Sequence, residues 1–176
     1  MKINRFINLL IAGFIIFSAT TAFAALPKAG DTAPLFTGKD QNGKTFKLAS
    51  FAGKKIVLLY FYPKDDTPGC TKEACGFRDR IDELKKDGVE VVGVSFDSAD
   101  SHQQFIEKYK LNFRLLADTD GKIADAYGVR ANGKNVSRRV SFLIGRDGKI
   151  VHVTDAGNPD VHLNEMKEAV AGLKKH

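Results

Sequence analysis

An apolar run at residues 56–61 leads through a short turn into a helical pattern that begins at Cys70. The run reads Ile-Val-Leu-Leu-Tyr-Phe, which is typical of a strand buried on both faces of a sheet. Thr-Pro-Gly at 67–69 marks the turn, and apolar residues then recur at helical spacing until Lys86. This strand-to-helix junction favours an α/β fold built around a βαβ unit.

Turn residues predict two β-hairpins, one on each side of this unit. Asn-Gly at 42–43 and Arg-Asp-Gly at 146–148 each separate two short apolar segments. The other elements are a second buried strand and three helices, predicted at residues 89–96, 101–109, 122–127 and 161–173. One βαβ unit joined to a hairpin is the plan of the thioredoxin-like fold, a mixed central sheet flanked by helices with an N-terminal β-hairpin.

Residues 1–24 have the features of a secretory signal peptide. Two basic residues precede an apolar stretch at 6–17, and Ala-Phe-Ala at 22–24 offers a small-x-small cleavage site. The alternative is an uncleaved membrane anchor, although the apolar stretch falls short of the roughly 20 residues that span a bilayer. We therefore expect an exported, periplasmic protein whose mature domain is residues 25–176, with no membrane attachment after cleavage.

The composition of the mature chain excludes some classes of function. Removing 24 of 176 residues leaves 152, enough for one domain with a sizeable core. The net charge falls from +6 to +4, and the basic residues occur as scattered pairs. Because no basic stripe with interleaved aromatic residues is present, nucleic-acid binding is not supported. The even number of cysteines permits a disulfide in an exported protein.

Cys70, the first of two cysteines, stands at a helix start. Free backbone N–H groups and a partial positive charge there favour an anion, so Cys70 is expected to be present as the reactive thiolate. Cys75 follows five residues later. In a regular helix the two Cα atoms would be about 8.6 Å apart, whereas a disulfide requires roughly 4.4–6.8 Å. The bond therefore needs the helix start to unwind, which suits a reaction cycle better than a structural disulfide.

Two other patterns resemble binding sites but lack the required context. Residues 38–45 fit the P-loop pattern, yet a genuine P-loop opens a helix, and the residues that follow here alternate as in a strand. Four histidines show no metal-ligand spacing with one another or with the cysteines, and each is predicted at the surface: His102, His152, His162 and His176. We therefore expect no metal and no cofactor.

The cysteine segment resembles the active-site segment of the peroxiredoxins, specifically of the bacterioferritin-comigratory or peroxiredoxin Q branch. The family pattern Pro-x-x-x-Thr-x-x-Cys is matched by Pro63, Thr67 and Cys70. The branch is marked by a second cysteine five residues later, which Cys75 matches. Arg-Val-Ser-Phe-Leu-Ile at 139–144 agrees as well, and the likeness extends from about residue 29 to the C-terminus.

The resemblance implies a thiol peroxidase that reduces hydrogen peroxide and organic hydroperoxides without haem, metal or flavin. Cys70 would be the peroxidatic cysteine, which becomes a sulfenic acid, and Cys75 the resolving cysteine, which forms an intramolecular disulfide with it. A dithiol donor, in the family usually thioredoxin, then reduces the disulfide. For an exported protein we expect a periplasmic thioredoxin-like donor, and we expect a monomer.

Three residues of the cysteine segment would support Cys70. Thr67 would place its hydroxyl near the thiolate and the peroxide, and it also occupies a helix N-cap position ahead of Pro68. Pro63 would shield the sulfur from water, or would simply end the strand. Glu73 would face the same side of the first turn and orient an arginine, or would only place a favourable charge near the helix N-terminus.

The resemblance also implies an arginine at the start of a distant strand, which Arg139 matches. Its permanent charge would favour the thiolate and polarise the peroxide. Strand alternation places Arg139 on the same face as Ser141, opposite the apolar residues of that strand. Arg138 would then point the other way, into solvent.

Two other functions remain open from the sequence. A thiol–disulfide oxidoreductase acting on proteins usually carries Cys-x-x-Cys, which is absent. An exported copper-binding protein with a thioredoxin fold would need two cysteines able to bind metal together and a nearby His or Met ligand. Neither the cysteine spacing nor the histidine positions support this.

Overall fold

The computed structural model describes residues 25–173, so the predicted signal peptide at 1–24 lies outside them, as do residues 174–176. Its strands are β1 (Thr37–Lys39), β2 (Thr45–Lys47), β3 (Ile56–Phe61), β4 (Val89–Ser95), β5 (Arg114–Ala117), β6 (Val140–Ile144) and β7 (Ile150–Asp155). Its α-helices are α1 (Pro68–Asp79), α2 (Ile81–Lys86), α3 (Ala99–Tyr109), α4 (Lys122–Ala126) and α5 (Pro159–Leu173). Within the described range, no helix has the length and hydropathy needed to cross a membrane.

Five strands form one mixed sheet in the order β5-β4-β3-β6-β7. The central strand, β3, is parallel to β4 and antiparallel to β6. The predicted βαβ unit is confirmed, because α1 and α2 connect β3 to β4, and both predicted hairpins are present as β1–β2 and β6–β7. The fold is therefore thioredoxin-like. Residues 38–45 lie within the β1–β2 hairpin and open no α-helix, which agrees with rejecting a P-loop.

Alternate residues of β3 enter two separate cores. Leu58 and Tyr60 pack on the side of α1, α2, α3 and α5, where Phe77 is a neighbour. Leu59 faces the opposite side, which is covered by the β1–β2 hairpin and α4 and includes Phe142. Because every residue of β3 is buried, this strand fixes the position of the turn that leads to Cys70.

Two parts of the predicted element order were wrong. The strand β5 was not predicted, since its apolar part is only Leu115 and Leu116, too short to show strand periodicity. The single helix predicted from Cys70 to Lys86 is two helices, because Arg80 (φ −106°, ψ 5°) leaves helical geometry between them. The apolar spacing continues across this break, so periodicity alone did not reveal it.

The helix α5 packs closely against α1 because Gly76 has no side chain. A Cβ at this position would lie 2.4 Å from Leu163 Cδ1, so any larger residue would require the Leu163 side chain to move. At the end of α1, Arg80 Nη1 donates a hydrogen bond to the Leu163 carbonyl (3.0 Å). The close packing brings one face of α5 against the buried face of α1, the helix that carries both cysteines.

Candidate active site

Cys70 occupies the third position of α1, and its side chain is buried. The helix begins at Pro68, as the N-cap position of Thr67 predicts and two residues before the apolar helical pattern starts, and Thr67 precedes it in extended conformation. Thr71 donates its N–H to the Thr67 carbonyl (2.8 Å), so the amides of Gly69 and Cys70 belong to the first turn, where N–H groups lack an intrahelical acceptor. The sulfur therefore lies at the positive end of the helix dipole, as the sequence predicts.

Arg139, immediately before β6, reaches across to Cys70 and is held in three directions. Its Nη2 donates to Cys70 Sγ (3.4 Å), its Nη1 to Glu73 Oε2, and its Nε to the Gly157 carbonyl (3.2 Å). Gly69 permits this approach, because a Cβ there would lie only 3.1 Å from Nη2. A guanidinium fixed at the sulfur stabilises the thiolate through opposite charge and a hydrogen bond.

The structure places Arg139, and not Arg138, beside the sulfur. Arg138 is exposed and donates to Asp155 Oδ2 (2.6 Å) and to the Gly128 carbonyl (3.2 Å). The alternation of β6 accounts for the difference, since consecutive residues point to opposite faces. Arg138 therefore makes surface contacts only.

Glu73 lies almost one turn after Cys70 and is 0% exposed. Its Oε2 accepts from Arg139, while its Oε1 has no hydrogen-bond partner within residues 25–173. Burial raises the pKa of Glu73 to about 7, although the charge of Arg139 opposes the rise. The geometry matches the hypothesis that Glu73 orients an arginine. The alternative, a charge that only favours the helix N-terminus, fits less well, since Glu73 lies beyond the first turn of α1.

Thr67 stands at the N-cap position, but its hydroxyl does not cap α1. Its Oγ1 donates to the Lys64 carbonyl (3.0 Å), and its side chain accepts no hydrogen bond from the helix amides. The predicted N-cap position is therefore confirmed, but the hydroxyl closes the preceding loop and does not cap the helix. Pro63 is half-buried just beyond the end of β3. The roles of Thr67 and Pro63 beside a peroxide stay predictions.

Cys75 is half-buried further along α1, and both cysteines are free thiols in the described chain. Five residues rotate a helix by about 140° beyond one full turn, so the two thiols leave α1 in different directions. The structure is therefore that of a reduced protein. Its helix start must open before the two sulfurs can meet.

Buried Asp65 ties the loop between β3 and α1 to α3. Its carboxylate accepts from Tyr62 Oη (2.7 Å) and Ser101 Oγ (2.7 Å) and lies 2.8 Å from His102 Nδ1. The next residue, Asp66, has a left-handed φ of +55° and accepts two more hydrogen bonds from α3. The loop that carries Thr67 is thus anchored at two consecutive positions, which no spacing in the sequence indicated.

The prediction that every histidine lies at the surface was wrong for two of them. His102 and His162 are both 0% exposed. Each has polar partners that offset its burial: Asp65 for the first, and Ser141 Oγ and the Ala156 carbonyl, each at 2.8 Å, for the second. Of the other two, one is partly exposed and one lies outside the described range. No group of three potential metal ligands occurs in the part of the chain that the structure describes.

The site thus combines a helix N-terminus, a buried sulfur and a fixed guanidinium. Such a sulfur can act as an anionic nucleophile without a metal, because the positive charge beside it also stabilises negative charge that develops on a leaving oxygen.

Comparisons with known proteins agree with this site. A family model described as the AhpC/TSA family matches residues 29–153. Peroxiredoxin Bcp of Escherichia coli (strain K12) is 48% identical over 151 residues, which cover 80% of this chain and 96% of that protein. Chloroplastic peroxiredoxin Q of Sedum lineare is 42% identical over 154 residues, which cover 86% of this chain and 82% of that protein.

Solved structures give the same result. The structure of peroxidoxin BcpB from Mycobacterium tuberculosis matches with a TM-score of 0.77 at 34% identity, covering 82% of this chain and 97% of that one. A peroxiredoxin Q of Xanthomonas campestris matches with a TM-score of 0.72 at 32% identity, covering 88% and 99%. The chain therefore belongs to the AhpC/TSA family, as a thiol-dependent peroxidase of the Bcp and peroxiredoxin Q type.

Proposed function

We propose that this chain is an exported peroxidase in which Cys70 attacks the peroxide and Cys75 resolves the product as an intramolecular disulfide. The observation that carries the proposal is the hydrogen bond from Arg139 Nη2 to Cys70 Sγ (3.4 Å), at a buried helix N-terminus. The second cysteine lies on the same helix, where it can reach the first only by a change in α1.

In the first step the thiolate sulfur of Cys70 attacks the terminal oxygen of a hydroperoxide. An S–O bond forms and the O–O bond breaks, so the sulfur is oxidised to sulfenic acid and the peroxide is reduced. The leaving oxygen takes a proton and departs as water or an alcohol. Arg139 supports this step because its positive charge stabilises the thiolate before the attack. It also stabilises the negative charge that develops on the leaving oxygen during the attack.

In the second step the thiol of Cys75 attacks the sulfenic sulfur of Cys70, forming an S–S bond and releasing water. The helical Cα separation of about 8.6 Å exceeds what a disulfide allows. The start of α1 therefore has to unwind, giving up the Thr71-to-Thr67 backbone bond and the Arg139 contact with the sulfur.

In the third step an external dithiol reduces the disulfide by thiol–disulfide exchange, which restores both thiols and oxidises the donor. Thioredoxin-type donors are expected for the family. Because the signal segment predicts export, we infer that the donor is a periplasmic thioredoxin-like protein rather than a cytosolic one.

The proposal is tested by peroxide turnover with the purified mature protein. Hydrogen peroxide and an organic hydroperoxide are supplied with several dithiol donors, and consumption of peroxide is followed. Insulin-disulfide reduction and copper titration are measured on the same preparation. Consumption of one peroxide for each dithiol oxidised supports the proposal. Without peroxide consumption, insulin reduction would favour the thiol–disulfide oxidoreductase, and tight copper binding would favour the copper-binding protein.

Export predicts a defined N-terminus. The exported protein should begin at Ala25, since Ala24 completes the small-x-small cleavage site. Intact mass spectrometry of the periplasmic and membrane fractions measures this directly. A protein that retains Met1 and is recovered in the membrane fraction would contradict the proposed export.

We expect the oxidised protein to be no more stable than the reduced protein. Closing so short a loop constrains the unfolded chain by only about 2 kcal/mol in the loop-entropy model. Unwinding α1 weakens several backbone hydrogen bonds worth about 1 kcal/mol each. It also loosens the buried face at Ala74 and Phe77, where one large side chain contributes about 1.5–3 kcal/mol.

Paired thermal melts of the reduced and disulfide forms measure this balance. A midpoint for the oxidised form that lies several degrees above the reduced one would mean that the disulfide fits the native helix, and the unwinding step would then be wrong.

A further inference from the structure

An unpaired carboxylate oxygen faces a buried imidazole on the inner side of the active site. Glu73 Oε1 has no hydrogen-bond partner among the described residues, and it lies 3.6 Å from His162 Nδ1. Both side chains are 0% exposed, so solvent reaches neither of them in the folded protein. The other oxygen of this carboxylate is the one that binds Arg139.

The surroundings of His162 fix the position of one proton. Nε2 lies 2.8 Å from the Ala156 carbonyl, which can only accept, so Nε2 carries a hydrogen. Nδ1 lies 2.8 Å from Ser141 Oγ. In the neutral imidazole Nδ1 is an acceptor and takes the hydroxyl hydrogen of Ser141.

This arrangement leaves two acceptors facing each other without a proton between them. With Glu73 ionised and His162 neutral, the Nδ1 lone pair is taken by the Ser141 hydroxyl, and the buried Oε1 stays unsatisfied. One additional proton lets Oε1 and Nδ1 close from 3.6 Å to hydrogen-bond distance, and the Ser141 hydroxyl can then rotate to accept or to donate elsewhere.

We propose that His162 is a positioning residue of this active site, and that it forms with Glu73 a buried pair whose uptake of one proton sets how much of the charge of Arg139 is available to Cys70. The proposal rests on the proposed function of Cys70. With its proton, the pair is neutral and Arg139 is opposed only by the thiolate. Without it, Glu73 is anionic and shares Arg139 with the sulfur.

Three ionisable groups face Glu73 from the elements packed against it: Arg139 before β6, Tyr60 of β3 and His162 of α5. Arg139 favours the carboxylate through its charge and its hydrogen bond, and Cys70, on α1 itself, contacts the same guanidinium. Tyr60 of β3 stays neutral, because burial and the nearby Glu73 raise its pKa well above its ordinary value. Desolvation outweighs the arginine and raises the pKa of Glu73 to about 7.

The groups around His162 act on its pKa in both directions, and those that lower it prevail. Burial lowers the pKa of His162, and the charge of Arg139 lowers it further. The Ala156 carbonyl opposes this shift, as do Glu165, on α5 itself, and Asp155, at the end of β7. Burial thus favours the neutral form of both residues, so a proton taken up near neutral pH goes to the Glu73 carboxyl, which in the proposed pair donates it toward His162 Nδ1.

The pair also responds to the reaction. When the thiolate becomes sulfenic acid, the negative charge beside Arg139 disappears, so the affinity of the pair for its proton falls. The pair then gives up its proton more readily at the stage at which the leaving oxygen takes one up. Oxidation of Cys70 should thus shift the titration of the pair to lower pH.

The first test reads the proton on unreacted wild-type protein. Infrared difference spectra in deuterium oxide report a protonated buried carboxyl, and NMR with isotope-labelled histidine reports the state of Nδ1. We expect one proton to titrate near pH 7 in the reduced protein, with the signal shared by both residues. A spectrum in which neither residue changes between about pH 6 and 8 would overturn the proposal.

The second test compares pH profiles of peroxide attack. In wild type, the second-order rate constant of reduced protein should fall about tenfold as the pair loses its proton near pH 7. His162→Asn keeps a hydrogen-bond donor toward Glu73 but cannot titrate. Because this donor favours the ionised carboxylate, the fall in the rate constant should occur about one pH unit or more lower than in wild type. His152→Asn, at a partly exposed histidine bonded to Glu165, is the matched control and should keep the wild-type profile.

An unchanged profile in His162→Asn would overturn the proposal. If that variant does not fold, the spectra of the wild-type protein still decide, because they require no substitution. They also separate this proposal from the proposed function. A Cys70 that fails to react with peroxide contradicts the function, whereas the titration of the pair is read without any peroxide.

Discussion

Replacing Cys70 by serine should reduce peroxide consumption to the level of a protein-free control, a loss of at least about 10³-fold. A serine hydroxyl stays protonated where the thiol can ionise, and it cannot form a sulfenic acid, so neither nucleophile nor intermediate remains. Cys75→Ser should behave differently. Its first encounter with peroxide should proceed at the wild-type rate, after which turnover stops because no resolving thiol remains.

These outcomes are separated by stopped-flow measurement of the first turnover and by mass spectrometry of the product. Cys75→Ser should accumulate sulfenic or sulfinic acid on Cys70, while wild type should accumulate the disulfide. The two variants are matched, since each removes one sulfur from the same helix. If Cys70→Ser keeps the rapid first reaction and Cys75→Ser loses it, the two roles are reversed.

The cysteine junction could be predicted because all of its determinants are close together in sequence. A uniformly apolar strand, a Pro-Gly turn and a helical pattern place Cys70 at a helix start with no long-range information. Arg139 could also be predicted, although it is 69 residues away, because strand alternation chooses between two adjacent arginines and the family resemblance points to the same one.

The parts that could not be predicted depend on tertiary contacts. The break at Arg80 preserves the apolar spacing, and β5 has only two buried apolar residues, so neither changes the pattern of the sequence. His162 did leave a signal. It lies four residues before Met166 and eight before Val170, on the buried stripe of α5, and a polar residue on such a stripe needs an internal partner. Only the structure shows that its partners are Ser141 and the Ala156 carbonyl, and that Glu73 lies 3.6 Å away.

The contacts of the loop before Cys70 also could not be predicted from the sequence. Asp65 and Asp66 read as ordinary turn residues, yet each fixes the loop to α3 through hydrogen bonds that span more than 30 residues of sequence. In the proposed cycle, this anchoring would keep the residues before Thr67 in place while the start of α1 opens for the disulfide.

Arg139→Met should slow peroxide attack by about one to two orders of magnitude. A hydrogen bond to a charged group contributes about 1.5–3 kcal/mol, and each 1.36 kcal/mol is a factor of ten in rate. The substitution removes the charge beside Cys70 and leaves Glu73 buried without its partner. We therefore expect the thiolate absorbance of Cys70 to appear at higher pH than in wild type, and the rate constant to fall at every pH.

Arg138→Met is the matched control, since it removes the same charge from the adjacent residue. Its guanidinium contacts Asp155 on the surface, and exposed ion pairs of this kind contribute only about 0–1 kcal/mol. The control should therefore keep the wild-type rate within about twofold. Identical thiolate titrations in wild type and Arg139→Met would show that the contact at 3.4 Å does not activate the sulfur. The helix N-terminus alone would then have to account for the reactivity of Cys70.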